Sequence, residues 1–407
     1  MNVSAMRLSA SALVLALVAL TAPGTQAHKP ITSKYTYNGD VLPIVRDRCA
    51  RCHVAGGAAP MSLLSYKESV PWAESIREEL IAERMPPWDV DDLSPPVRSS
   101  GGGRPLTARE IDTLITWATG GTPQGAAASR PDAEPAPHDG RSARPDLVIP
   151  METEYTVPAD ASQEIRELTL STGLTEPRWV KAADLLPGTP SIVRDATIAV
   201  ENGPVLAVWV PGDEPVAAPA GTAFRLPAGA RLRVHIHYKK PWQNERTAIS
   251  DRSAVGLYFT AAPAPGRELQ TMVVAPAVGA VRPKPGAARP TDASGVAPVT
   301  FGGEVARPLT IVAIRPALDR PYAIVDVHAR LPTGGRRLLL RLRGPRPEWA
   351  RRYWLAREVE LPAGSRVDVS ATPAVSDAGA FSGAGRATAI TSSPNAPLQI
   401  RLDVVGR

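Results

Sequence analysis

From residue 147 onward, apolar residues occur in short runs that proline and glycine interrupt. Residues 205–210 form one such run, and apolar and polar side chains alternate in residues 231–238. Alternation with a period of two is typical of a strand that buries one face. The chain contains 43 prolines and 32 glycines yet is 43% hydrophobic, which favours short strands joined by turns over long helices. The pattern predicts an all-β region.

Two stretches of low complexity divide the chain. Residues 283–298 separate the β region into residues 147–282 and 299–407, each of a length that suits one β-sandwich. Residues 126–146, rich in Ala, Pro, Arg, Asp and Gly, show no periodicity and are interpreted as a linker. We therefore predict two jelly-roll-like sandwiches in tandem, preceded by a separate domain.

Residues 36–125 have helical periodicity. The best-marked helix follows Thr107, a plausible N-cap with Glu110 three residues later, and it stops at Gly120. It carries Trp117, an aromatic residue suited to a core or to the side of a cofactor. The pattern predicts a helical domain.

This segment contains a C-x-x-C-H run, Cys49 to His53, which holds the only two cysteines of the chain. Such a run attaches one haem covalently through both thiols, and the adjacent imidazole becomes the proximal iron ligand. A redox dithiol normally occurs in a βαβ setting, and a zinc site would need more cysteines. We predict one covalent haem c, and consequently no disulfide in residues 54–407.

A haem that carries electrons usually has a sixth ligand, and a methionine thioether raises its potential. Met85 precedes two prolines that would restrict the mobility of its loop. Met85 is therefore the predicted distal ligand, and Met61 is the alternative.

The first 27 residues have the pattern of a secretory signal peptide. Arg7 precedes the apolar residues 8–20, and small residues at 25–27 suggest a cleavage site. An uncleaved membrane anchor is the alternative. The mature protein is expected to be periplasmic or secreted, with no stable membrane span. Its net charge of +6 forms no dense basic block, so nucleic-acid binding is not expected.

Several stretches, taken together, resemble a known family. They are residues 40–44, 49–53, 59–63, 76–77, 85–88, 106–107, 110–111 and Trp117. They are similar to the cytochrome c domain at the front of bacterial proteins related to copper type II, ascorbate-dependent monooxygenases, which include the peptidylglycine alpha-hydroxylating enzymes. The resemblance implies an all-α class I cytochrome c domain followed by an all-β tandem sandwich region.

The β region resembles the same family in part, through residues 209–212, 226–230, 234–238, 251–258, 331–335, Tyr353 and 361–365. In this resemblance His237 takes the place of a ligand of the first copper. The family's other histidines should fall near residues 192–196 and 315–319, where this chain has none, and no methionine follows Met272. The resemblance thus implies degenerate copper sites.

Residual copper binding would depend on His235 and His237, which point to the same face of a strand. A third ligand would be required, such as His328 or an acidic residue, and Arg231 and Arg233 on that face disfavour a cation. His28, which signal cleavage would place at the N-terminus, and His138 are the remaining histidines.

These features give a first hypothesis of an exported monohaem electron carrier, whose β region serves as a scaffold or binds a redox partner protein. The alternative is an enzyme, a haem-coupled copper oxidase or monooxygenase that uses His235 and His237. A third possibility is a binding module in which the haem acts as a sensor.

Overall fold

The computed structural model describes residues 32–87, 89–98, 105–126, 144–276, 298–374 and 397–406. The expected signal peptide, His28, Trp88, His138 and most of both predicted linkers lie outside these residues.

The N-terminal segment forms short helices around a small core. They are α1 (Leu42–Arg48), α2 (Tyr66–Ser69), α3 (Ala73–Ile81) and α4 (Ala108–Thr119), with a π-helical turn at Tyr37–Val41 and a 3₁₀ turn at Val70–Trp72. In α4, the Thr107 hydroxyl accepts from the Glu110 amide, and the Glu110 carboxylate accepts from the Thr107 amide. This capping box satisfies two amides that a helix start leaves without partners. The apolar face of α4 places Trp117 against Tyr37 in the core, with ring centroids 5.8 Å apart.

Twelve of the strands belong to the first half of the β region or to the segment before it. They are β1 (Val97–Arg98), β2 (Leu147–Pro150), β3 (Tyr155–Val157), β4 (Gln163–Ser171), β5 (Arg178–Leu186), β6 (Val193–Val200), β7 (Val205–Trp209), β8 (Phe224–Leu226), β9 (Arg231–Lys239), β10 (Ile249–Asp251), β11 (Ala254–Thr260) and β12 (Gln270–Val274). Two four-stranded sheets, ordered β2-β11-β5-β8 and β4-β9-β6-β7, contribute to one buried core, and β3 pairs with β10. We call these two sheets, together with β3 and β10, the first β unit.

The remaining strands are β13 (Val299–Val305), β14 (Leu309–Ala317), β15 (Tyr322–Arg330), β16 (Arg336–Arg343), β17 (Tyr353–Leu361), β18 (Ser365–Pro373) and β19 (Gln399–Gly406). They form a four-stranded sheet, β13-β18-β15-β16, and a five-stranded sheet, β1-β17-β14-β19-β12, around a second core. We call this the second β unit. Two further 3₁₀ turns occur at Trp242–Asn244 and Pro347–Trp349.

The two β units share part of a core because β14 is irregular. Its pairing with both neighbours shifts between Ile311 and Ala313. Ile311 and Ile314 contribute to the second core, whereas Val312 and Ala313 contribute to the first. A bulge of this kind re-aims side chains that strict alternation would hold on one face. One strand therefore joins the two units.

The predicted fold class is wrong in its first part. The described residues are 42% strand and 15% helix, and the helices before residue 126 are short. That segment also contains β1, whose Val97 and Arg98 pair with Leu355 and Trp354 of β17. An all-α class I cytochrome c domain would complete its own core, but this segment extends a sheet of the second β unit. The physical reason is that residues 97–98 pair with β17 at an edge of that sheet, where backbone hydrogen bonds are open.

The capping box predicts a measurable dependence of stability on pH. Burial acts to raise the pKa of Glu110, but hydrogen bonds from Thr107 and the Arg48 guanidinium, at 2.9 Å, outweigh it and hold the pKa below its ordinary value. A depressed pKa stabilises the folded state above the ordinary carboxyl pKa, and this contribution is lost as the pH falls through the folded-state value. We expect Glu110→Gln to reduce the unfolding free energy at pH 7 and to have less effect near pH 3. Urea titrations at both pH values measure this. If Glu110→Gln reduced the unfolding free energy equally at pH 7 and near pH 3, the ionised carboxylate of Glu110 would not be the source of the effect.

Candidate functional site

The C-x-x-C-H run lies immediately after α1 and continues its turns. The Cys49 amide donates to Val45 at 2.8 Å, and the amides of Cys52 and His53 donate to the Cys49 carbonyl at 3.1 and 2.9 Å. These consecutive turns hold both thiols and the imidazole on one short segment. Local backbone hydrogen bonding thus brings together the three residues that the motif predicts.

Both cysteines are free thiols. Burial raises the pKa of Cys49 to about 12, with a further contribution from Cys52. Burial, followed by the charge of Asp213, raises the pKa of Cys52 to about 11, although nearby arginines oppose this. Both groups are therefore neutral at pH 7. A redox dithiol requires a lowered thiol pKa, so the electrostatics of this pair argue against that alternative.

A loop of the first β unit covers Cys52. The carbonyl of Pro211 is 3.6 Å from the Cys52 Sγ, and a methyl group added at Gly212 would lie 3.2 Å from the same sulfur. Gly212 also has a φ of +81°, which favours glycine. Its carbonyl accepts from Arg51 Nη1 at 3.1 Å. Glycine at this position thus permits the close approach of the loop to the motif.

The imidazole of His53 is in a state that can bind a metal ion. Burial lowers its pKa, and the backbone of Met61 acts in the opposite direction. The ring is therefore neutral at pH 7, which is the form that binds a metal. Its Nδ1 atom is buried and has no hydrogen-bond partner among the described residues. The motif thus fits a haem in the chemistry of its donors: two free thiols and one neutral imidazole.

The two methionine candidates differ in their surroundings. Met85 is 37% exposed and lies in the loop after α3. Met61 is partly buried and packs against the helical core. The structure thus leaves the Met85 thioether outside the core, whereas Met61 contributes to packing.

Arg351 joins the loop of Met85 to the loop that covers Cys52, a connection that the sequence reading missed. Its Nη1 donates to the Pro87 carbonyl at 2.9 Å, and its Nε contacts Asp213 at 3.2 Å. Arg351 and Asp213 are both buried. The available signal was the adjacent pair of arginines at 351 and 352, placed directly before the apolar start of β17. Charged residues beside a buried strand usually have a partner.

His235 and His237 lie on the same face of β9, as alternation predicts, and each faces a carboxylate. His235 Nε2 is 3.2 Å from Glu167 Oε2 on β4, and His237 Nδ1 is 3.0 Å from Asp195 Oδ2 on β6. His328 lies on β15 in the other β unit. Within the ranges that the structure describes, no group of three or more His, Cys, Asp or Glu side chains is placed to hold a metal ion. Among the described residues, the histidine pair therefore has carboxylate partners but no further ligand.

No helix in the described parts of the chain is both long and apolar enough to cross a membrane.

No family model and no curated protein matches this chain. Solved structures that match include a protein described as an alpha-L-fucosidase from Bacteroides ovatus, at 9% identity over 66% of this chain, with a TM-score of 0.18. A Paenibacillus xanthan lyase matches at 14% identity over 69%, with a TM-score of 0.17. These alignments span only 40% and 28% of the two neighbours. Oxalate decarboxylase from Bacillus subtilis matches at 9% identity over 78% of this chain and 87% of its own, with a TM-score of 0.13. Scores this low carry no argument about fold or function.

The resemblance to a cytochrome c domain fused to a copper monooxygenase-like region is therefore wrong as a family assignment. Neither family models nor curated proteins support it. The described residues are mostly strand and contain no all-α cytochrome c domain. Short sequence stretches carried the resemblance, and such stretches recur in unrelated folds because local turn and helix chemistry repeats.

Proposed function

We propose that this chain is an exported electron carrier with one covalently attached haem. The observation that carries the proposal is the state of the C-x-x-C-H run: two free, neutral thiols and a neutral imidazole held on one turn of chain. The apolar stretch and small residues before position 28 support export.

The residues have distinct roles in this proposal. Cys49 and Cys52 anchor the haem, His53 is the proximal ligand, and Met85 is the distal ligand, with Met61 as the alternative. When bound, haem supplies one-electron redox chemistry at its iron. Burial of His53 keeps its imidazole unprotonated, and the loop at Gly212 excludes water from the side of Cys52. The chain's own contribution is thus anchoring, ligation and partial shielding.

We further propose that a redox partner protein docks beside the motif. Gln243 donates to the carbonyl of Pro60 at 2.8 Å, which fixes the segment Trp242–Asn244 next to the loop that follows His53. Trp242 is 63% exposed at this place. Exposed aromatic residues are common at protein interfaces. Such a surface would bring a partner close to the haem.

Coexpression with a haem-attachment system tests the haem proposal. We expect iron near one per chain, a pyridine haemochrome spectrum of thioether-linked haem, and haem that remains with the chain after denaturing electrophoresis. The double variant Cys49→Ala, Cys52→Ala should lose all covalent haem. Arg337→Gln, an exposed change outside the motif, is the control. A folded wild-type chain without covalent haem would refute the proposal.

The distal ligand is tested by two matched variants of the haem-loaded chain. We expect Met85→Leu to remove the visible absorption band of ferric haem that accompanies methionine ligation. Met61→Leu should leave it in place. The reverse result would assign the ligand to Met61.

A further inference from the structure

Arg194 lies at an irregular position of β6. Ala196 and Ile198 of this strand are in the core, so strict alternation would also send residue 194 into it. The pairing of β6 with β9 instead shifts between Val193 and Asp195, and Val193 takes the core position. A bulge of this kind re-aims a side chain and is common beside active sites. The irregularity thus directs the side chain of Arg194 away from the core of the first β unit.

The strand next to Arg194 leads to the C-x-x-C-H run. β6 and β7 are antiparallel, with Ala196 opposite Trp209, so the chain after Trp209 runs back toward Arg194. This stretch includes Pro211, whose carbonyl is 3.6 Å from the Cys52 Sγ. The charge of Arg194 acts on Cys52. Arg194 therefore lies beside one of the two thiols that anchor the proposed haem.

The guanidinium of Arg194 is charged and lacks a partner. Its Nη1 atom is buried, and no described group accepts a hydrogen bond from it. Burial lowers the pKa of Arg194 to about 10, and Cys52 acts in the opposite direction. The side chain therefore keeps its positive charge at pH 7.

The other two arginines whose charge acts on Cys52 are paired. Arg51 Nη2 is 3.3 Å from Glu214, and Arg351 Nε is 3.2 Å from Asp213. Among the described arginines that act on this thiol, Arg194 is thus the one without a carboxylate partner. An unpaired charge that is largely removed from water is costly, and proteins seldom keep one without a use for it.

We propose that Arg194 raises the reduction potential of the haem, an inference that rests on the proposed haem attachment at Cys49 and Cys52. Arg194 acts through its charge and not as a ligand. Ferric haem has one positive charge more than ferrous haem, so a fixed cation nearby disfavours oxidation. Because the surroundings of Arg194 are poorly solvated, its charge acts more strongly than it would in water.

A spectroscopic redox titration of the haem-loaded full chain tests the proposal. We expect Arg194→Gln to change the equilibrium constant of this one-electron couple by about tenfold, which lowers the midpoint potential by about 59 mV. Arg194→Lys keeps the charge and should retain most of the potential. Arg337→Gln removes an equal charge from an exposed position on β16 and should leave the potential unchanged. The effect of Arg194→Gln should persist at high salt, because salt screens buried charges weakly.

Three results of this titration would overturn the role of Arg194. The first is an equal potential in the wild type and Arg194→Gln. The second is an equal fall in Arg194→Gln and Arg194→Lys, which would show that the charge is not the cause. The third is an equal fall in Arg194→Gln and Arg337→Gln, which would show a general charge effect. The visible band of methionine ligation in each variant establishes that the iron ligands are unchanged.

Urea unfolding of the chain without haem separates this role from a structural one. Arg194→Gln breaks no ion pair among the described residues, so it should not lower the free energy of unfolding. A marked loss of stability would assign Arg194 to holding the fold and overturn the proposal. A folded wild-type chain without covalent haem would refute the haem attachment and, with it, the role of Arg194. A haem-loaded chain whose potential does not depend on Arg194 would refute that role alone.

Discussion

Arg352→Ala is expected to lower the free energy of unfolding by about 3–5 kcal/mol, the usual cost of breaking a buried ion pair. The Arg352 Nε contacts Asp403 at 2.8 Å, and Asp403 has no exposed surface. Arg352 also donates to the carbonyls of Val205 and Leu206 in the first β unit. Removing it leaves a buried carboxylate and two carbonyls with fewer donors, and it removes a contact between the two units. Urea denaturation followed by circular dichroism measures the change.

Arg330→Ala is the matched control for this experiment. Arg330 forms an ion pair with Asp368 at 2.6 Å, but its side chain is 58% exposed. Exposed pairs of this kind contribute about 0–1 kcal/mol because water and salt screen them. If the two variants lose similar stability, burial of the Arg352 pair is not the source of its effect.

Trp117→Ala is expected to cost about 3–5 kcal/mol, the range for deleting a large buried aromatic side chain. Trp117 has no exposed surface, its ring lies 5.8 Å from that of Tyr37, and its Nε1 donates to the Pro123 carbonyl at 3.2 Å. Alanine would leave a cavity at the centre of the helical core and a carbonyl without its donor. Thermal unfolding monitored at the helical circular dichroism signal tests this.

Trp242→Ala provides the comparison for the same residue type. Trp242 is 63% exposed, and surface substitutions usually change stability by about 0.5 kcal/mol or less. We expect its unfolding transition to coincide with that of the wild type. A Trp117 variant as stable as the Trp242 variant would mean that the helical core is not cooperative with the rest of the chain.

The sequence predicted the features that depend on local physics. Alternation in β9 correctly placed Leu232, Val234, Ile236 and Tyr238 in the core, because a strand sends successive side chains to opposite faces. Thr107 and Glu110 correctly marked the start of α4, because capping involves residues three positions apart. The C-x-x-C-H run lies on one turn for the same reason. The proposed haem and the distal methionine remain predictions.

Features that join distant segments could not be derived in this way. The pairing of β1 with β17, which makes the all-α expectation wrong, depends on an open sheet edge about 250 residues away in sequence. The charge of Arg315 was visible inside the apolar strand β14, but its position opposite Arg401 was not. Local periodicity determined which residues form strands and helices. Only tertiary packing decided which strands are neighbours, because backbone hydrogen bonds between strands carry almost no sequence information, and burial then fixed which charges meet.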